Sequence, residues 1–294
     1  MVESVVYTED QIKKASYPDL LDLNLVYSKF PLSRLQTANG RVYYKGDVDP
    51  EDRTYIYSST SILGATLRKG IGWDKWLGNS LSYISAKQYG NERAYIGTMA
   101  HALCMYLIWG ETIDTTVGFY NRDTGKIDPI PDEVKLRLSG FIDFCEQWQP
   151  TPIATEISLY SLDSDEEGLL YPWAGTADNI MKFPDGKIWL IDIKTGKEHR
   201  HSHELQLTSY KILWDHIHGE EQGKIDKMAC LYLTDRGNFK LVEHKFVPYN
   251  WYNVYENFEY LLKDKRGKMP KIKEKQELPT IYSLKGEDKN GVKV

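Results

Sequence analysis

The chain lacks the means for a disulfide framework or a cysteine-built metal site. Its 294 residues include 3 cysteines, Cys104, Cys145 and Cys230, an odd number set far apart, so neither paired bridges nor a Cys-x-x-Cys motif can be read. A reducing compartment is the default that follows. Long apolar runs are missing too. The longest, Ala102 to Trp109, falls well short of the roughly 20 residues a membrane-spanning helix needs. The first residues carry Glu3, Glu9 and Asp10 and show no signal-peptide pattern, which together with the cysteines points to the cytoplasm and to no membrane partner. Positive charge is not in excess either: 37 Lys and Arg stand against 42 Asp and Glu, a formal net charge of −5, which excludes a histone-like binder of polyanions. No Gly-x-x-x-x-Gly-Lys-[Ser/Thr] phosphate loop occurs, so neither an ATP-driven motor nor a nucleotide cofactor is expected. There is no internal repeat, and no Gly/Ser/Pro-rich linker before Lys263.

What is there is ordinary globular composition, 41% hydrophobic and 27% charged, in a chain long enough to bury a sizeable core. The 8 Trp and 21 Tyr permit base stacking, although a large core accounts for most of them. Charge is unevenly spread. From Lys263 to Val294 ten Lys and Arg face five Asp and Glu, a local basic surface, while the preceding chain is acidic. Residues 1–262 read as a single domain, with 1–150 largely helical and 151–262 an α/β core. Residues 263–294 read as a Lys-rich, flexible tail.

Along the chain, Thr8 to Leu21 has the pattern of a short helix, and Arg34 to Lys45 reads as a hairpin about Asn39-Gly40. Ser58 to Ser61 precedes Ile62 and Leu63 as a helix cap. Trp73 to Tyr89, Asn91 to Trp109 and Asp132 to Trp148 show three- and four-residue apolar spacing and are expected helices. In the first of these, Trp73, Trp76, Leu77 and Ile84 are expected to pack a core, with a single-strand stacking channel as the alternative role for Trp73, Trp76, Tyr83 and Tyr89. After Pro152 the pattern changes to strands: Ile153 to Tyr160, Tyr171 to Phe183 and Lys187 to Lys194, the last two joined by Pro184-Asp185-Gly186. Glu204 to His218 is helical, Met228 to Thr234 and Phe239 to Val247 are strands, and Asn250 to Leu262 is a helix. Strand, helix, strand from Lys187 to Thr234 forms a crossover, so its two strands are expected to run parallel.

The chemistry concentrates at Asp192-Ile193-Lys194. Residues two apart on a strand share a face, so an acid that holds a metal can stand beside a lysine that orients water or offsets charge on a phosphate. Asp178 and Asp192 are about equally far from the turn at Asp185-Gly186, and antiparallel pairing brings them level. Two carboxylates so placed are costly unless a cation neutralises them, and Mg²⁺ suits hard oxygen ligands. The backbone carbonyl of Ile193 would complete the set. Gln206 and Tyr210, four apart, share a face of the next helix, where Gln206 would hold Lys194 or a phosphate and Tyr210 a phosphate. His101, in Gly97-Thr98-Met99-Ala100-His101, would add a nitrogen ligand and make Mn²⁺ an acceptable substitute.

Gly97-Thr98-x-x-His101, Gly175-Thr176-Ala177-Asp178, Asp192-x-Lys194-Thr195-Gly196 and Gln206-x-x-x-Tyr210, in that order, resemble the PD-(D/E)XK nuclease superfamily in its RecB-like exonuclease branch, and most of all its phage-type and mitochondrial single-domain exonucleases. Ser59-Thr60-Ser61-Ile62-Leu63 resembles a segment upstream in that branch. The resemblance runs from Ser58 to Tyr210. It implies a restriction-endonuclease-like α/β core, a central mixed sheet flanked by helices, behind a mostly helical N-terminal portion. It implies His101, Asp178 and Asp192 as metal ligands, Lys194 as the catalytic lysine and Gln206 and Tyr210 as substrate-positioning groups. Ser59, Thr60 and Ser61 would contact phosphate, a chemistry that suits a helix start, and Glu156 matches a recurrent additional acid. Two departures stand out: Met105 holds a place where many relatives have an acid, and the four-cysteine iron-sulfur pattern of some relatives is missing, so no cluster is expected.

The expectation is a Mg²⁺-dependent DNA exonuclease acting at a free end in replication, recombination or repair, in company with proteins of those processes. The alternatives are a structure-specific or internal-site endonuclease of the same superfamily and a catalytically silent DNA-binding subunit.

Overall fold

The computed structural model describes residues 32–37, 40–46, 49, 52–67, 78–80, 82–121, 124–161, 169 and 171–263. The expected helix at Thr8 to Leu21, Asn39 of the first turn, Trp73, Trp76, Leu77 and the tail beyond Lys263 lie outside them. The protein is α/β, with a mixed five-stranded sheet flanked by helices and a helical region toward the N-terminus.

The sheet is built from β6 (Thr151–Tyr160), β7 (Ala174–Lys182), β8 (Ile188–Lys194), β9 (Lys227–Leu233) and β10 (Phe239–His244), in the spatial order β10-β9-β8-β7-β6. β6, β7 and β8 form an antiparallel meander, whereas β8 and β9 run parallel around helix α4 (Arg200–Ile217), as the crossover pattern requires. Both faces of β8 and β9 are covered, so these strands are mostly apolar, with Asp192 and Lys194 the exceptions on β8. Leu190, Met228, Cys230 and Tyr232 join one core cluster; Ile191, Ile193, Ala229 and Leu231 join the other. Against the first face pack α4, with Leu205, Leu213 and Trp214, and helix α6 (Pro248–Leu262), with Trp251 and Phe258. Ile62 and Leu63 of helix α1 (Ser59–Thr66) join the same cluster. Against the second face pack helices α2 (Tyr83–Ile108) and α3 (Asp132–Trp148), through Met99, Leu103, Phe141 and Phe144.

The first 150 residues are not helical alone. Strands β1 (Leu32–Thr37) and β2 (Gly40–Lys45) pair as the expected hairpin, and β3 (Ile56–Tyr57) extends them to a three-stranded sheet. A two-stranded hairpin, β4 (Phe119–Asn121) with β5 (Lys126–Asp128), was not legible, because three residues per strand are too few to show a period. The break expected near Gly90 between two helices is absent: α2 runs unbroken from Tyr83 to Ile108, because one glycine costs a helix only about 1 kcal/mol. It begins at a capping box between Ser82 and Ser85. Tyr83, Ile84 and Tyr89 at its start are exposed, so Ile84 does not take the core position expected of it. Ser58 caps α1, its hydroxyl accepting from the Ser61 amide. A four-residue helix, α5 (Gly219–Gln222), follows α4. Among the described residues no helix is long and apolar enough to cross a membrane.

Candidate active site

The candidate site forms where β7 and β8 part. Their ladder runs from Lys182↔Ile188 to Asn179↔Ile191 and ends there. One rung further stand Asp178 and Asp192, the level placement the turn predicted. The carboxylate of Asp178 occupies the gap: its Oδ2 accepts the backbone N–H of Ile193 at 2.8 Å. From α2, in the opposite layer, His101 brings Nδ1 to 3.5 Å from the same oxygen.

Glu156 meets Asp178 from the other side. On β6 and β7, Thr155 pairs with Asn179 and Ile157 with Ala177, which puts Glu156 level with Asp178. Its backbone is left-handed, with φ 46°, a conformation that costs a non-glycine residue on the order of 1–3 kcal/mol and so needs support from its surroundings. One ligand atom each of His101, Glu156 and Asp178 lies within 4.8 Å of the others.

The two acids resist ionisation together. Burial, followed by the charge of Asp192, pushes Asp178 up to about 6, against the pull of His101, Lys194 and the Ile193 amide. Burial, then the charge of Asp178, pushes Glu156 up to about 8, opposed by Arg34 and Arg41. Such a pair stays charged at neutral pH only with a compensating cation. One imidazole nitrogen and two carboxylates form a donor set that fits Mg²⁺ and better still Mn²⁺.

Asp192 is committed elsewhere. It is 1% exposed, and its Oδ2 is ion-paired with Nζ of Lys194. Its Oδ1 accepts from Nε2 of Gln206 at 3.2 Å, and the Gln206 Oε1 accepts from Lys194 at 3.3 Å. Burial works against the Lys194 ammonium, but Asp192 and Asp178 outweigh it and hold the pKa above the ordinary lysine value. Gln206 also donates to the Tyr210 hydroxyl at 3.1 Å. Burial, reinforced by Asp192, keeps Tyr210 far above the usual tyrosine pKa, so it is a neutral phenol. The ring fits because residue 175 is glycine: a Cβ there would come 2.2 Å from Cε1 of Tyr210.

The structure thus brings His101, Asp178 and Glu156 together as a ligand group and keeps Asp192, Lys194, Gln206 and Tyr210 as a hydrogen-bonded chain beside it. Glu156 moves from an additional acid to a full member, and Asp192 from an expected ligand to the partner of Lys194. The serine and threonine segment is engaged mostly in packing. Ser59 is fully buried and donates to the Ala174 carbonyl at 3.2 Å. Ser61 Oγ accepts from the Arg41 amide at 2.6 Å and donates to the Arg41 carbonyl at 2.9 Å, fastening the first hairpin to α1. Thr60 is exposed, its hydroxyl 3.0 Å from that of Ser58.

Sequence reasoning missed a second line of groups behind Lys194. In the β8·β9 register Cys230 lies opposite Asp192 and Tyr232 opposite Lys194. The Tyr232 hydroxyl is 2.6 Å from Nδ1 of His203 on α4. The readable signal was the period of two in Cys230 and Tyr232, which puts both on the face of the site once the parallel crossover is accepted.

No protein-family model matches the chain, and no curated protein does. A solved structure described as "Crystal structure of SSO0001" is similar at 20% identity with a TM-score of 0.29, over 46% of this chain and 63% of that one. A likeness of that size carries no argument about function.

Proposed function

We propose that the chain is a metal-dependent deoxyribonuclease, an exonuclease of the PD-(D/E)XK kind that hydrolyses phosphodiester bonds at a free DNA end. One observation carries the reading: a buried Asp192–Lys194–Gln206 chain stands directly beside a ligand group of His101, Glu156 and Asp178 at the open end of two splayed strands. The ordered resemblance from Ser58 to Tyr210 supports it.

His101, Glu156 and Asp178 would hold Mg²⁺ or Mn²⁺, with the Asp192 charge nearby and the Ile193 carbonyl as a further candidate oxygen. Bound there, the cation would polarise the scissile phosphate and acidify a water. Lys194 has three N–H donors. Two point to Asp192 and Gln206, and the third is available to orient the attacking water or to meet charge growing on a phosphate oxygen. Asp192 and Gln206 fix the ammonium in place, and Tyr210 fixes Gln206. The cytoplasmic location read from the cysteines, and partners in replication, recombination or repair, belong to this proposal.

The test incubates the purified chain with linear and closed circular DNA, with Mg²⁺ or with chelator. Metal-dependent loss of the linear form alone, abolished in Asp178→Asn and Lys194→Ala, is expected. Cutting of closed circles would make the protein an endonuclease. DNA binding and metal binding without cleavage would leave the silent binding subunit. Equal cleavage by both variants would overturn the site.

A further inference from the structure

Two arginines on the first hairpin face this site, and nothing in the proposed chemistry uses them. In the β1·β2 register Gln36 lies opposite Arg41 and Arg34 opposite Tyr43, so all four project from one face. Tyr43 shows where that face looks: its hydroxyl is 2.9 Å from Oγ1 of Thr176, two residues before Asp178 on β7. Arg41 is held on both its amide and its carbonyl by Ser61, so the backbone that presents its side chain is anchored. Gln36, Arg41, Thr60 and Ser61 line a groove of about 470 Å³ between the hairpin and α1, with Leu262 of α6 also in its wall. Among the described residues neither Arg34 nor Arg41 donates a side-chain hydrogen bond or joins an ion pair, whereas Arg93 and Arg137 share Glu133. Both oppose the rise in the Glu156 pKa, which puts their charge within electrostatic reach of the ligand group.

We propose that the hairpin face bearing Arg34 and Arg41, with the groove beside it, is a phosphate-binding subsite that grips the backbone of a nucleic-acid strand next to the reacting bond. This rests on the nuclease reading of the neighbouring site. The chemistry fits a phosphodiester. Guanidinium groups make paired, charge-assisted hydrogen bonds to phosphate oxygens, and Thr60, exposed at the start of α1, adds a hydroxyl at the groove wall. The occupant is a strand rather than a lone ion: Arg34 and Arg41 stand one cross-strand step apart on the hairpin face, and the groove that Arg41 lines continues past Thr60, Gly64 and Ala65 of α1. The sequence after Leu262 carries ten Lys and Arg against five acids. A net charge of −5 no longer argues against DNA when cations are gathered where the strand would lie.

The experiment measures binding of the full chain to labelled linear DNA in chelator, where no bond is cut, across a range of salt, alongside cleavage in Mg²⁺. Wild type, Arg34→Gln, Arg41→Gln, the double variant, and Arg34→Lys with Arg41→Lys are compared, each checked for an unchanged melting transition. Each Gln substitution is expected to weaken binding equally on unrelated sequences and to lower the slope of log affinity against log salt by about 1. The lysine pair should keep the slope. In cleavage, the double Gln variant should raise KM with little change in kcat. Wild type that binds and cleaves while the double variant keeps affinity and slope overturns the subsite and spares the nuclease reading. An arginine-dependent slope without any hydrolysis supports the subsite and overturns the nuclease. Wild type that does not bind DNA overturns both.

Discussion

The ammonium of Lys194 is paired with the carboxylate of Asp192, two residues earlier on the same strand, and Asp192 is 1% exposed. A carboxylate this deeply placed depends on its cation. Removing one partner of a buried pair leaves an uncompensated charge, at a cost of about 3–5 kcal/mol, whereas replacing both with neutral groups can be nearly free.

Lys194→Ala is therefore expected to do two separable things. It should lower DNA cleavage by at least about 10²-fold, the scale at which removal of a group that stabilises developing charge is felt. It should also destabilise the fold by about 3–5 kcal/mol in denaturant titrations. Adding Asp192→Asn should restore most of the stability and none of the activity. Restored cleavage, or an additive loss of stability, would contradict the pairing.

Glu156 gives a prediction in pH. Its pKa lies at about 8 in the fold, above the ordinary value of 4.5, so the native state holds the proton more tightly than the unfolded chain. Stability from this group is complete below about 4.5 and is lost as pH rises through about 8. In metal-free buffer Glu156→Gln should accordingly be more stable than wild type at pH 8, with the difference vanishing toward pH 4.5. Mn²⁺ should raise the melting temperature of wild type, increasingly with pH, because binding needs the ionised carboxylate. The Gln variant should gain much less. A variant that melts below wild type at pH 8 without metal would show that the acid is not strained by burial.

Much of this arrangement is legible in the sequence. The nearly equal distance of Asp178 and Asp192 from Asp185-Gly186 gave the register, and the strand–helix–strand pattern gave the parallel pair β8·β9 and hence the face that Gln206 and Tyr210 cover. What was not legible depended on departures from regularity. Nothing local in Thr155-Glu156-Ile157 announces a left-handed residue, so the place of Glu156 opposite Asp178 was hidden. The commitment of Ser59 and Ser61 to Ala174 and Arg41 could not be read either, because those partners are more than 19 residues away in sequence and are set by how the hairpin docks on α1. Arg34 and Arg41 were readable in principle: once Asn39-Gly40 is taken as the turn, the period of two puts both on one face.

His203 adds a second pH effect of opposite sign. Burial, with the Lys194 charge adding to it, pushes its pKa down to about 4 from 6.5. The proton is then bound more tightly in the unfolded chain. Stability from the neutral imidazole is present above about 6.5 and lost as pH falls through about 4. His203→Gln, which retains a group able to hydrogen-bond the Tyr232 hydroxyl, should lose less stability than wild type between pH 6.5 and 4. Parallel acid transitions of the two proteins would refute this. The groups facing His203 are Lys194, Asp192, His199 and His244, so the comparison is made with all four unchanged.

Gly175 tests whether Tyr210 is positioned or merely present. A methyl group there would stand 2.2 Å from the ring of Tyr210, a distance no relaxed side chain tolerates, so Gly175→Ala must push the ring away from Gln206. Overpacking of this kind costs about 1–3 kcal/mol. The hydroxyl that accepts from Gln206 moves with the ring, Gln206 loses one of the contacts that fix it, and Lys194 is held less firmly. Cleavage should fall although residue 175 touches no reacting atom, and the loss should appear in kcat rather than KM. Tyr210→Leu removes the ring that clashes, so its own cost and that of Gly175→Ala should be strongly non-additive in a double-mutant cycle, with a coupling of about 0.5–3 kcal/mol. Additive stabilities would mean that the alanine is accommodated by the backbone of β7, and Tyr210 would then have no part in setting the position of Gln206.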